Sequence, residues 1–183
     1  MTPSGHSPMI RDHYTRSRSI RTATDPTWRT ELTNERQNPA ADTVVVGYDG
    51  STAADSAVRW AALQAALTSG HLDLVTAWEY PTSWGNSLPL PSDYDPARDA
   101  QVMLDPVIER LHTDFPSLEV RSHVVEGHPG EVLVEASRHA GLLVVASRGH
   151  RAFAGFVLGS VSQHCATLAD CPVVVYREPR AAN

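Results

Sequence analysis

The chain has 183 residues, 42% of them hydrophobic and 20% charged, with a formal net charge of -6, enough for one well-buried core and too little for two ordinary domains. No apolar run approaches the roughly 18 residues of a membrane span, so no membrane passage is expected. All fifteen basic residues are Arg and none is Lys, which excludes a Walker A lysine, a Schiff-base lysine and a Ser-Lys dyad.

Residues 1–40 hold six Arg against four acids, leaving nine Arg against seventeen acids for the remainder. The acidic remainder argues against a duplex nucleic-acid surface. The first 40 residues are rich in Thr, Ser, Arg, Asn and Pro, and their isolated apolar residues follow neither the helical nor the strand period. They read as a disordered extension, and their arginines are followed by no apolar segment of the kind a secretion signal needs. Residues 41–178 read as a single domain, with 179–183 as a short tail. The two cysteines, Cys165 and Cys171, are too few for a disulfide scaffold and lack C-x-x-C spacing, so a reduced, cytoplasmic protein is expected.

The domain begins with TVVVGYD from Thr43, a buried-type strand running through Gly50 and Ser51 into an Ala-rich helix. Ala57, Trp60, Ala61 and Leu67 can form one face of that helix, and Gly70 is its expected stop. LDLVTAW is the second strand. The stretch from Glu79 to Pro96 carries proline, glycine and aromatics without a period, and reads as a long loop able to cover a site as a lid. Arg98 to Phe115 reads as a second helix with Val102, Leu104, Val107, Ile108 and Leu111 as core candidates. Pro106 inside it signals a kink or a later start.

LEVRSHVVEG alternates as a third strand and HPGEVLVEASRH follows as a helix with Pro129 in its first turn. GLLVVA, ending at Ala146, is a short uncharged run suited to a strand buried on both faces. A glycine-bearing loop and the helix VSQHCATLA come next, with Val161, Cys165 and Leu168 at helical spacing. CPVVVYRE closes the series, its Pro172 tolerated at a strand start. The βαβαβαβαβ order predicts a five-stranded parallel sheet with helices on both faces and right-handed crossovers. Ligands in such sheets sit at the carboxyl ends of the strands, near the switch point.

The segment Ala146 to Ser162, ASRGHRAFAGFVLGSVS, is therefore the leading site candidate. A strand, a loop with Gly149 and Gly159, and a helix start at Ser160 together present unpaired backbone N–H groups and the positive end of a helix dipole, where anions bind. A plain turn and cap would use the same glycines. Asp49 has its own alternative, an Asx turn or cap ahead of Ser51, and both roles can coexist. His150, His164, Cys165 and Cys171 do not make a metal site, since His164 and Cys165 are neighbours on a helix and point apart. Ser160 lacks the G-x-S-x-G elbow of a hydrolase nucleophile.

Residues 42–177 resemble the universal stress protein family. The ATP-binding members carry G-x-x-G, nine residues, then G-[ST]. Here the matching residues are Ala146, Gly149, Gly159 and Ser160, with the nine-residue interval from His150 to Leu158 intact and one glycine replaced. Asp49, Gly50 and Ser51 after the first strand and the closing CPVVV strand match as well. The resemblance implies a Rossmann-like three-layer sandwich of the adenine nucleotide alpha hydrolase type, binding ATP with Mg2+. It implies that Asp49 contacts ribose or adenine, that backbone near Gly47, Tyr48 and Trp78 lines an adenine slot, and that Gly149, Gly159, Ser160, Val161 and Ser162 hold phosphates. Arg148 and Arg151 can add guanidinium contacts to phosphate.

The function so implied is a stress-response regulator acting through dimerisation and unidentified protein partners. No positioned general base is visible, so any ATP hydrolysis is expected to be slow. The closing strand 172–177, apolar and uncharged at its centre, is the expected homodimer edge. A nucleotide-free dimerisation module of the same fold, its cradle closed by Ala146 and Arg151, is the alternative, and a weak ATPase or phosphotransferase is a third.

Overall fold

The computed structural model describes residues 18–21, 42–80, 93–147 and 158–178. In chain order they form β1 (Arg18–Arg21), β2 (Thr43–Gly47), α1 (Thr52–Leu67), β3 (His71–Trp78), α2 (Pro96–Asp114), β4 (Glu119–Glu126), α3 (Pro129–Ser137), β5 (Leu142–Ala146), α4 (Ser160–Leu168) and β6 (Val173–Tyr176). The strands make one sheet in the order β1-β4-β3-β2-β5-β6, parallel at every step. The five predicted strands are all present, in the predicted alternation with helices.

A sixth strand comes from the segment read as disordered. Arg18–Arg21 pairs with Ser122–Val125 of β4, which corrects the reading of residues 1–40 at those four positions. RSIR contains a single apolar residue, too little for any period to register, and its pairing is set by the β4 edge. The rest of residues 1–41, most of the loop 79–96 and the tail 179–183 lie outside the described residues.

The uninterrupted apolar runs of β2 and β5 arise because both strands are covered twice. Val44 and Val46 belong to one core with Val144, while Val45 belongs to a second with Leu143 and Val145, as side-chain alternation requires. The first core is roofed by α1, through Ala54, Ala57, Val58, Ala61, Ala62 and Ala65, and by α2, through Leu104, Val107, Ile108 and Leu111. The second is roofed by α3, through Val132, Leu133 and Ala136, and by Cys165 of α4.

Three predicted core positions are corrected. Leu67 is 71% exposed and Val102 is 62% exposed. Each stands two residues from a buried position, Ala65 and Leu104, hence about 200° around its helix and facing water. Leu168, at the last position of α4, is exposed as well. Helix α2 starts at Pro96, capped by the Asp95 side chain, which accepts the Arg98 N–H at 3.0 Å. It runs unbroken through Pro106, because Pro106 and Val102 both face solvent and water can take the Val102 carbonyl that has lost its donor.

The stop after α1 works differently from a left-handed glycine. Ser69 takes the positive φ of 56°, and the Gly70 N–H donates to the Ala65 carbonyl at 2.8 Å. Gly70 is needed for close approach, since a Cβ there would run into the backbone carbonyl of Asp42, which already accepts the His71 N–H. Gly70→Ala is therefore expected to cost about 2 kcal/mol, read as a lower urea midpoint at unchanged slope. A midpoint within error of the wild type would show that the β2 entry yields.

Candidate functional site

Helix α1 leaves β2 toward the first core, and α4 leaves β5 toward the second, while β2 and β5 lie side by side. The two connections diverge and leave a crevice outside the carboxyl ends of these neighbouring strands, the switch point at which doubly wound sheets hold ligands. On one flank β3 stands higher than β2: Gly47 pairs with Val75, whereas β3 continues to Trp78, paired with Glu126.

The β2 side of the crevice is built from a turn. The Tyr48 N–H donates to the Val75 carbonyl at 2.9 Å, and the Thr76 hydroxyl donates to the Tyr48 carbonyl at 3.0 Å. Gly50, at φ 80°, supplies the left-handed step that brings Ser51 back onto Asp49. Asp49 Oδ1 then accepts from the Ser51 N–H at 3.1 Å and from its hydroxyl at 2.6 Å. The Ser51 oxygen in turn accepts the Ala54 N–H at 3.2 Å and caps α1. The turn reading of Asp49 thus describes its local geometry, and the same turn holds an exposed carboxylate at the mouth of the crevice.

The side chain of Tyr48 turns inward, away from the backbone that ends β2. Its ring is buried in the first core and its hydroxyl donates to Asp55 Oδ1 at 3.2 Å, an oxygen that also accepts from Arg110 Nη2 at 2.7 Å. Burial, reinforced by the Asp55 carboxylate, pushes the phenol up to about 12. Gly47 makes room for α3: a Cβ there would lie 2.7 Å from Leu133 Cδ1. Trp78 also sits in the first core. Its carbonyl accepts the Gly127 N–H at 2.8 Å, its buried indole N–H has no acceptor among the described residues, and its ring meets Tyr80 edge-on with centroids 5.1 Å apart.

On the β5 side, Ala146 is the last rung of a regular strand, paired with Tyr176. Ser69 is the one non-glycine residue of positive φ among the described residues, so position 146 does not demand glycine, and its methyl packs toward the first core. The loop that follows is tied at its neck. The Gly159 N–H donates to the Ser147 carbonyl at 2.8 Å, and Ser162, 2% exposed, directs its hydroxyl at the carbonyls of Ser147 and Gly159, at 3.3 and 2.9 Å. Ser162 therefore supports the neck through its side chain. Arg148 and Gly149, with His150, Arg151 and Ala152, lie outside the described residues.

Beyond the neck, Gly159 is the N-cap of α4 and no side chain caps it. The first intrahelical bond runs from the Gln163 N–H to the Gly159 carbonyl, at 3.0 Å. The N–H groups of Ser160, Val161 and Ser162 have no intrahelical acceptor and open toward the end of the sheet that carries Asp49. Their orientation suits an anion, and the dipole of α4 adds to it. Cys165 lies one turn on, fully buried, where burial pushes its thiol up to about 11, so it packs as an inert apolar side chain.

Sequence reasoning missed how close α3 comes to α4. A Cβ on Gly130 would lie 2.8 Å from the His164 ring, and the His128 and His164 ring centroids are 6.0 Å apart. The start of α3 therefore meets the middle of α4. The only sequence signal was the glycine after Pro129, which does not reveal its remote partner.

A family model described as the Universal stress protein family matches residues 41–177. Universal stress protein Rv2624c of Mycobacterium tuberculosis is 35% identical over 152 residues, 78% of this chain and 50% of its own length. Universal stress protein Rv2623 of the same organism is 34% identical over 146 residues, 77% of this chain and 47% of its own length. The chain thus spans about half the length of these curated relatives. Among solved structures, a universal stress protein in complex with cAMP superposes with a TM-score of 0.56 at 28% identity, over 75% of this chain and 98% of that one. UspA from Lactobacillus plantarum gives 0.61 at 16% identity, over 76% and 100%, a likeness in fold alone.

Proposed function

The chain belongs to the universal stress protein family, and on that premise we propose that it is a regulator that binds an adenine nucleotide, ATP with its Mg2+, in the crevice between β2 and β5. The ribose lies on the Asp49 carboxylate and the phosphates lie on the N–H groups at the start of α4, with Arg148 and Gly149 assigned to the phosphates from the motif. The observation that carries this reading is the convergence of an anchored carboxylate and an open helix N-terminus at the carboxyl ends of two adjacent strands. The neighbour holding cAMP supports the adenine class; the triphosphate is our finer reading. Binding is the activity, and hydrolysis is slow.

Regulation proceeds by association. Among the described residues strand β6 is paired on one side only, by β5, and Val173–Tyr176 are all half-buried, so its outer edge suits a second copy of the chain. Dimer mass by light scattering at micromolar concentration is expected.

Calorimetry of the full chain with ATP and Mg2+, ADP and cAMP tests the nucleotide reading. Micromolar binding is expected for the wild type. Asp49→Ala is expected to lose about 2 kcal/mol, some thirtyfold, as the charge-assisted bonds to ribose disappear. No heat with any nucleotide would sink the proposal, and equal affinity in the variant would remove Asp49 from it.

A further inference from the structure

The inner side of β4 is paired with β3 along its whole length, Glu119–Glu126. Its outer side is paired, among the described residues, along Ser122–Val125, by Arg18–Arg21. Within the covered stretch Ser122, Val124 and Val125 are buried, whereas Glu119 at the uncovered start is exposed. Bared of β1, this stretch would present a row of unpaired backbone groups beside a β-branched pair, the kind of edge that recruits another strand. β1 itself makes a poor template, because it is four residues long with Arg at both ends, and short, charged edge strands resist further pairing.

The charges and the connection also fit. β4 has Glu at each end, and Arg21 stands opposite Val125, one register step from Glu126. Residues 22–42 carry the chain from the carboxyl end of β1 back to the amino end of β2, which is long enough for a parallel return. β1 is paired over four residues and along one strand, so its docking belongs to the least stable part of the sheet.

We infer that Arg18–Arg21 is a detachable guard strand, whose docking closes the β4 edge to a second copy of this chain and leaves β6 as the edge open for association. This goes beyond the nucleotide reading and does not depend on it. Release of the guard exposes Ser122–Val125 and allows edge-to-edge pairing between two β4 strands.

The test compares the full chain with Ser19→Pro/Ile20→Pro, in which two adjacent prolines remove whichever N–H faces β4. Both changes lie outside residues 41–177, the span that the family model matches, so the domain still folds. Hydrogen exchange of peptides spanning 119–126 is expected to be at least about tenfold faster in the variant at low concentration. As concentration rises, the variant is expected to form species larger than the wild type, in which those amides regain protection. Equal exchange in the two proteins would overturn docking in solution, and faster exchange with unchanged mass would overturn the guard role.

Discussion

In a Ser160→Asp variant, affinity for adenine nucleotide is expected to fall about a hundredfold while the thermal midpoint holds or rises slightly. Ser160 is exposed and opens α4, a position where a carboxylate complements the helix dipole and stabilises by roughly 0.3–1 kcal/mol. The same carboxylate stands beside the phosphates that the proposal places on this turn. Two like charges about 4 Å apart at an effective dielectric near 20 repel by about 4 kcal/mol, and solvent at an exposed site reduces that to about 3. Opposite signs for stability and affinity are the point of the variant, because a merely damaged fold would lower both. Ser160→Ala, which keeps the backbone N–H groups, should stay within a few-fold of wild type. Wild-type affinity in Ser160→Asp would mean that the phosphates lie elsewhere, and a lower midpoint would mean that α4 does not begin as described.

The parts of this site that could be read in advance were those decided by residues close in sequence. Asp49, Gly50 and Ser51 form a turn whose chemistry is local, and Gly159 followed by Ser160 marks a helix start whatever the rest of the chain does. Strands β2 and β5 were legible because burial on both faces leaves an uninterrupted apolar run. Helix α1 was harder: a face made of alanines and one valine looks no more apolar than its surroundings, so Leu67 was drawn into the stripe by its hydrophobicity. The placement of Tyr48, whose hydroxyl donates to the Asp55 oxygen that the α2 residue Arg110 also holds, depends on a contact between remote segments. So do the packing of Gly130 on His164 and the neck bonds of Ser162. β1 carries almost no signal of its own and becomes a strand only because β4 offers an edge.

Replacing His123 by Leu is expected to destabilise the domain by about 3 kcal/mol at neutral pH and to invert its response to acid. Asp73 lies in the first half of β3, 1% exposed, and neither carboxylate oxygen has a hydrogen-bond partner among the described residues. His123 Nε2 stands 3.7 Å from Asp73 Oδ1, too far for a hydrogen bond but close enough for Coulombic attraction. Burial is the largest influence and pulls the Asp73 pKa upward, yet His123, His71 and Arg121 together outweigh it and hold the carboxyl below the usual 3.8. A folded-state pKa below the unfolded one means that the carboxylate contributes stability above the unfolded value and loses it as pH falls through the folded one. Wild-type stability should therefore decline on acidification below about pH 4.

Without His123, burial dominates, the Asp73 pKa rises above its ordinary value, and the same group costs stability at neutral pH. Acidification from pH 7 toward 5 should then stabilise the variant relative to the wild type. Asp73→Asn removes the buried charge itself and should cost about 1 kcal/mol, because losing an unsatisfied charge offsets much of the lost attraction. In the double variant most of the His123→Leu penalty should disappear, leaving a coupling of about 2 kcal/mol in the cycle. Urea midpoints of the four proteins at pH 7 and pH 5 decide the matter. Strictly additive penalties would show that Asp73 and His123 do not act as a pair. A His123→Leu variant that weakens on acidification as the wild type does would show that His71 and Arg121 hold the carboxylate without it.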